Sequence, residues 1–584
     1  MQYMKKRFVY MIVILLVLGF SGIVSISYGD TAVGFYPPQP KDVTVLISKP
    51  TVSMQLIIND NNKIQSMDML INSKKVNVLY DADMKNIYHV PQEALMPGVY
   101  KVNLTVIVEG YKPIVQSWQF TVSDNALESL PASTSVQIQA LNYSNIYRKL
   151  LNIKELQINH SLNMAAMAHA NYMAVNKIVS HDEFSNKNGF TGALPYQRAT
   201  AFGYTGGYVA ENASSGQKDY KEAIDGLFVA PYHRLMWLNP YLTDFGYGFR
   251  DKYYNFDLGG KKAGEDSIIV YPMENQVDLP ISWDGNETPN PLRLHPKEGT
   301  VGYPITLSYF TGKEITKFSI SKAQLTNNKG TTISTFLNTP VLDKNLQESI
   351  IIIPQSPLAK GEKYTVAVKG LIEFKDKPAM ELDKVWSFTT AASEVEQDAW
   401  KNIYLYNDLD GHWARDIIIE LLRKQIVTPK SDRLYMPEVK ITRGEFAEFI
   451  VNALGFQTKE YVGAFKDVKS DNNKAIFIES AYGEGIIQGV GNGYFMPNRL
   501  ITREEMAVMI IKGYEKKKGT NALQSMPLLS FNDKNDISGW ATEAVRASAY
   551  LGIIKGRTTS RFVPKDSATR AEAAVMIQKL LDTF

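Results

Sequence analysis

A chain of 584 residues is too long for one hydrophobic core and must divide into several domains of ordinary size. Its 63 Lys+Arg against 60 Asp+Glu leave a formal net charge of +3, and no dense basic block lies beyond the first seven residues, so a nucleic-acid footprint is missing. The chain contains no cysteine, which removes disulfides, thiolate metal sites, a thiol nucleophile and a lipid-modified cysteine together.

The N-terminus opens with Lys5, Lys6 and Arg7, continues as an uncharged apolar run to about Ile26, and turns small and polar. That order predicts an export signal over 1–29. The run is also just long enough to span a bilayer, so an uncleaved anchor is the alternative. Nothing later in the chain resembles a span, so no membrane segment is expected once the signal is removed. Export without cysteine fits a secreted protein of a single-membrane, Gram-positive bacterium.

Residues 30–125 read as a β-sandwich: "DVTVLI", "SMQLII", "VNVLY", "VYKVNLTVIV" and "SWQFTV" are β-branched, partly alternating and separated by turn residues. The pattern "LMPGVYKVNLTV" before "WQFTV" returns as "LAKGEKYTVAVKG" before "WSFTT", which predicts a second sandwich over 292–392 with Trp118 and Trp386 in equivalent last strands. Both resemble the immunoglobulin-like modules of bacterial surface proteins. Residues 276–291, rich in Pro, Asn and Asp, are expected to form an extended linker into the second sandwich.

Between the sandwiches the period changes. "SLNMAAMAHANYM" spaces Leu162, Ala166, His169 and Met173 as one helical stripe. Four of the seven histidines, His160, His169, His181 and His233, fall in this region together with Glu211. Two His and a carboxylate are a recurrent zinc or general-base set, whereas His169, on an apolar stripe, reads as a satisfied core histidine.

The order "SHDEF", "RATAFGYTGGYVAEN", "APYHRLMWLNPYLTDFGYGF" resembles the CAP superfamily of cysteine-rich secretory, antigen and pathogenesis-related proteins. The resemblance implies an α-β-α sandwich over 136–275 with a cleft holding two His and up to two Glu. Carried over by motif, the cleft residues are His181, Glu211 and His233, and these three are the expected ligands if Zn²⁺ is bound. The second family acid has no match, since Glu222 lies too early, and Leu227-Phe228 stands where a tryptophan often precedes the second histidine. No Gly-X-Ser-X-Gly elbow or His-Glu-X-X-His helix is present. No catalytic residue is identified, and a non-enzymatic role is favoured.

The last third repeats itself: "YMPEVKITRGEFAEFI", "FMPNRLITREEMAVMI" and "FVPKDSATRAEAAVMI". Each copy sets Thr three residues before Glu ahead of an apolar helix, which is a capping box. The capping box leaves Arg443, Arg503 and Arg570 unexplained, because the first helical position disfavours a cation. A helix N-terminus with a guanidinium could cradle a carboxylate or phosphate. Trp413 and Trp540 occupy equal places in copies one and three, and Asn473 in copy two.

"ITRGE", "ITREE" and "ATRAE", with "DLDGHWA" and "DISGWA" upstream, resemble S-layer homology (SLH) modules, expected over 404–456, 463–516 and 529–584. The family implies an all-α three-repeat bundle that binds anionic, often pyruvylated, secondary cell-wall polysaccharide through Arg443, Arg503, Arg570, Trp413 and Trp540. Three functions remain open: a wall-anchored binding module whose cleft holds a ligand or divalent metal, a wall-associated hydrolase, and a purely architectural layer component.

Overall fold

The computed structural model describes residues 24–27, 32–58, 62–261, 264–295, 299–394, 397–398, 401, 405–431, 434–519 and 526–584. The expected signal segment lies almost wholly outside them. Among the described residues, no helix is long and apolar enough to cross a membrane. The chain divides into two compact units, Met1–Thr390 and Ala391–Phe584.

The first unit begins with two five-stranded sheets sharing one core, which contains Val45, Val52, Met54, Leu104, Val106, Trp118 and Phe120. Its strand Thr44–Ile47 runs parallel to the last strand, Ile114–Leu127. The same device recurs in the second β-region, where Gln276–Leu279 runs parallel to Met380–Thr390. Phe120 pairs with Tyr100 and stacks on it, as Phe388 pairs with Tyr364 and stacks on it. The predicted equivalence of Trp118 and Trp386 therefore extends to pairing partners, Val102 and Val366.

The expected linker over 276–291 is not a linker. Gln276–Leu279 is a strand of the second β-region, Ser282–Trp283 pairs with Val301–Gly302, and Ser267–Tyr271 already pairs with Ile305–Phe310. The second β-region thus starts near 267 and overlaps the expected end of the middle domain at 275. Prolines at 272, 280 and 289 suggested extended chain, but extended chain beside an unpaired strand edge completes the sheet's hydrogen bonding.

The middle region is an α-β-α arrangement. Four strands lie in the order Gln157–Ile158, Leu242–Arg250, Tyr253–Gly260, Tyr208–Ser215. Helices His160–Asn176 and Pro195–Ala201 cover one face, and Ser135–Leu150, Tyr220–Val229 and Pro231–Leu238 cover the other. "FGYGF" has a direct physical reading. Along Leu242–Arg250, Gly246 and Gly248 sit against the backbone of Leu162 and Ala166, where any Cβ would overlap the helix. The alternate residues Phe245 and Tyr247 turn to the opposite face, Phe245 beside Trp237 and Tyr247 beside Tyr220.

Among the described residues, the second unit contains three helix pairs. Each long helix, Arg443–Leu454, Arg503–Lys518 and Arg570–Leu581, is capped by its Thr–Glu box, as the sequence predicts. Each packs against the next repeat's short helix: Ala475–Gly483, Thr542–Tyr550 and, closing the circle, Arg415–Arg423. Backbone hydrogen bonds close a second ring near the helix starts, Ile501 N to Ile441 O, Ile441 N to Ala568 O and Ala568 N to Ile501 O, at 3.0–3.1 Å.

Candidate functional site

Glu211 sits on Tyr208–Ser215, fully enclosed among charged groups. Its Oε1 accepts from His181 Nδ1 at 2.7 Å, and its Oε2 accepts from Arg198 Nη2 at 2.6 Å and Asn255 Nδ2 at 3.1 Å. His169 Nε2 lies 3.6 Å from Oε1. Burial alone would raise the Glu211 carboxyl, but Arg198, His169 and His181 together hold it well below the usual carboxylate range. Asp257, cross-strand from Glu211, is pushed well above its ordinary value by burial and by the Glu211 charge.

His169 is a satisfied core histidine, as its stripe predicts: Nε2 faces Ser180 O at 2.6 Å and Nδ1 faces Glu183 Oε1 at 2.9 Å. Glu183 also accepts from the N–H groups of Thr191 and Gly192.

The structure brings His181 and Glu211 together but gives His233 a different carboxylate. Glu287 Oε1 lies 2.7 Å from His233 Nδ1 and also accepts from the backbone N–H of His233 at 3.0 Å and of Tyr232 at 2.8 Å. Burial pushes Glu287 up to about 8 against the pull of those two N–H groups. His233 is held well below the ordinary imidazole range by burial and then by neighbouring His181. Glu287 lies in the stretch read as linker, so sequence reasoning missed it. Carrying the parallel first strand of the first sandwich over to the second would have placed it beside a paired strand. Arg198 stood in a quoted motif without a role.

His181 turns Nδ1 to Glu211 and His233 turns Nδ1 to Glu287, so the ring nitrogen each leaves over is Nε2. Both His181 Nε2 and His233 Nε2 are buried without a hydrogen-bond partner, as are Asn212 Oδ1 and Asn255 Oδ1. The expected three-ligand zinc set does not fit: both Glu211 oxygens are committed to His181, Arg198 and Asn255. No group of three or more His, Cys, Asp or Glu among the described residues is arranged to hold a metal ion. Among the described residues the site offers these two imidazole nitrogens beside the amide oxygens of Asn212 and Asn255 and one carboxyl oxygen each of Asp257 and Glu287.

The repeat arginines correct a second expectation. Arg443, Arg503 and Arg570 are 6%, 5% and 1% exposed, and the anion each cradles is the capping-box glutamate of the next repeat. Arg443 reaches Glu505 at 3.2 Å, Arg503 reaches Glu572 at 3.0 Å, and Arg570 reaches Glu445 at 2.8 Å. Their Nε atoms donate to the carbonyls of Phe495, Phe562 and Tyr435, over whose rings the guanidinium groups lie. The helix N-termini are filled as well. For example, Arg570 N donates to Val439 O and Ala571 N to Pro437 O.

Each glutamate takes a second, partly exposed cation: Lys430 on Glu445, Arg499 on Glu505 and Arg557 on Glu572. Trp413 and Trp540 are 64% and 62% exposed. At the remaining junction Asn473 replaces tryptophan, and the adjacent Lys474 is paired with Glu448 at 2.6 Å.

Comparison with known proteins agrees with both halves. Residues 141–257 match the cysteine-rich secretory protein family, CAP, and residues 405–447, 464–507 and 530–574 match the S-layer homology domain. The chain carries a CAP domain followed by three S-layer homology repeats. It is 40% identical over 182 residues to Exoglucanase XynX of Acetivibrio thermocellus, covering 31% of this chain and 17% of that protein. It is 31% identical over 169 residues to an S-layer protein of Bacillus thuringiensis subsp. finitimus, covering 29% of this chain and 20% of that one. The chain spans only 9–20% of the length of the first curated relatives it matches. A solved extracellular protein containing a SCP domain, from Bacillus anthracis str. Ames, shares 17% identity over 41% of this chain and 68% of its own; its TM-score of 0.20 adds nothing to the fold.

Proposed function

We propose that this chain is an exported bacterial surface protein that its SLH repeats hold non-covalently on an anionic secondary cell-wall polysaccharide, pyruvylated polymers included. The two β-regions are immunoglobulin-like modules flanking the CAP segment, and the CAP cleft binds a polar ligand without catalysing a reaction. The observation that carries the cleft reading is the pair of unpartnered Nε2 atoms on His181 and His233. A buried acceptor left empty costs about 1–3 kcal/mol, so a ligand donating O–H or N–H groups to both nitrogens recovers that loss. Neutral hydroxyl- or amine-bearing ligands fit these acceptors. Glu211 is held as a charged anchor by Arg198, which leaves it no role as a base.

The surface of the repeats supports the anchoring reading. Trp413 and Trp540 are exposed, and Lys430 and Arg557 are partly exposed cations on the repeat glutamates, side chains of the kinds that suit sugar faces and acidic substituents. Calorimetric titration of the full chain with soluble wall oligosaccharide fragments tests the cleft. Saturable binding lost in a His181→Ala/His233→Ala variant is expected. Release of new reducing ends or amines from those fragments, abolished in the same variant, would replace binding with hydrolysis.

A further inference from the structure

We infer that Glu287 is the positioning residue of His233, so that the cleft is completed by the chain beyond the CAP segment. The matched family segment ends at residue 257, and everything that fixes the ring of His233 at Nδ1 lies past it. The inference deepens the cleft reading by naming what sets the chemical face His233 turns to a ligand, but it does not require that a ligand binds.

Three independent contacts make the helix Pro231–Leu238 part of the second β-region. The first is Glu287. The helix has no side-chain cap of its own, because Ala230 stands at the N-cap, and Glu287 Oε1 takes the N–H groups of its second and third residues. The second is polar: Tyr232 Oη donates to Asp343, and Arg293 bridges the two, 2.8 Å from Tyr232 Oη and 2.8 Å from Asp343 Oδ1. The third is apolar: Tyr232 and Leu235 share a buried cluster with Trp283, Leu292, Val301 and Ile351. Arg234 adds a hydrogen bond to Pro304 O at 2.8 Å.

A single oxygen that accepts two backbone N–H groups leaves the ring only one way to bind it, as an Nδ1–H donor. Glu287 therefore selects the tautomer with a free Nε2 lone pair, whether or not its own outer oxygen carries a proton. His181 likewise turns its Nδ1 to a glutamate, Glu211, inside the CAP segment. Both rings thus leave Nε2 unpartnered, each fixed by a glutamate from a different part of the chain.

The test is ring-¹⁵N NMR on the full chain with labelled histidine and no ligand, the signals assigned with His181→Gln and His233→Gln. Wild type and Glu287→Gln, whose amide oxygen accepts the same three donors, are expected to show His233 as the single Nδ1–H tautomer. Glu287→Ala is expected to lose it, with His181 unchanged as an internal control. An Nε2–H ring for His233 in wild type, or a Glu287→Ala protein that keeps the Nδ1–H form, overturns the inference. Should Glu287→Ala fail to fold, the wild-type spectrum decides. Failure of wall fragments to bind would overturn the cleft's proposed ligand and leave the tautomer result standing.

Discussion

Arg570 shows how one residue type can satisfy a motif and still do something other than its position suggests. Fully buried, it donates to Glu445, Tyr435 O and Thr428 O, tying the third repeat to the first. Removing one partner of a buried pair leaves an uncompensated charge, at a cost of about 3–5 kcal/mol. Arg570→Ala is therefore expected to lower the denaturant midpoint of the repeat unit strongly, and wall binding should fall only as folding falls. An Arg570→Ala protein of wild-type stability that no longer sediments with walls would restore the guanidinium as a direct saccharide contact. The tryptophans should behave in the opposite way. Exposed Trp413 and Trp540 contribute little to the core, so their Ala variants should stay within about 0.5 kcal/mol of wild type. Both should nevertheless reduce co-sedimentation with walls bearing native polysaccharide, whereas Asn473→Ala should not.

At the scale of elements, the helix Pro231–Leu238 and the carboxylate that caps it give a pH signature. Glu287 rises from an ordinary 4.5 to about 8 on folding. The folded state therefore binds the extra proton, and this contribution is full below about 4.5 and lost as pH rises through 8. Glu287→Gln abolishes it. The melting temperature of the variant minus that of wild type should climb between pH 5 and 8.5, and a flat difference would show that Glu287 ionises normally. His233 acts oppositely, since its depressed value favours folding above about 6.5 and withdraws that support as pH falls. It does so in both proteins and cancels in the difference. The contact between helix His160–Asn176 and the glycines of "FGYGF" is a second element-level test. Gly248→Ala places a methyl on the Ala166 backbone and should cost about 1–3 kcal/mol by thermal melting.

On the scale of the whole molecule, the two compact units should unfold as separate calorimetric transitions, because each has its own core. A fragment ending at residue 275 lacks Glu287, Asp343 and most of the cluster around Tyr232. It should melt with low cooperativity, whereas residues 1–390 should melt sharply. A sharply melting 136–275 fragment would show that the CAP segment is self-sufficient and that the second β-region only decorates it.

Local signals were legible in the sequence wherever the physics is local. The Thr–Glu boxes, the helical stripe through His169 and the alternating strands ending at Trp118 and Trp386 depend on neighbours a few residues away. The pairing of His181 with Glu211 was readable only through motif resemblance. Which carboxylate meets His233, and which anion meets each repeat arginine, depended on segments 54 and 62–125 residues distant coming together. A buried charge takes the partner that packing delivers, and spacing along the chain does not encode that choice. The linker over 276–291 was misread for the same reason: its backbone groups found an open sheet edge that only the folded β-region provides.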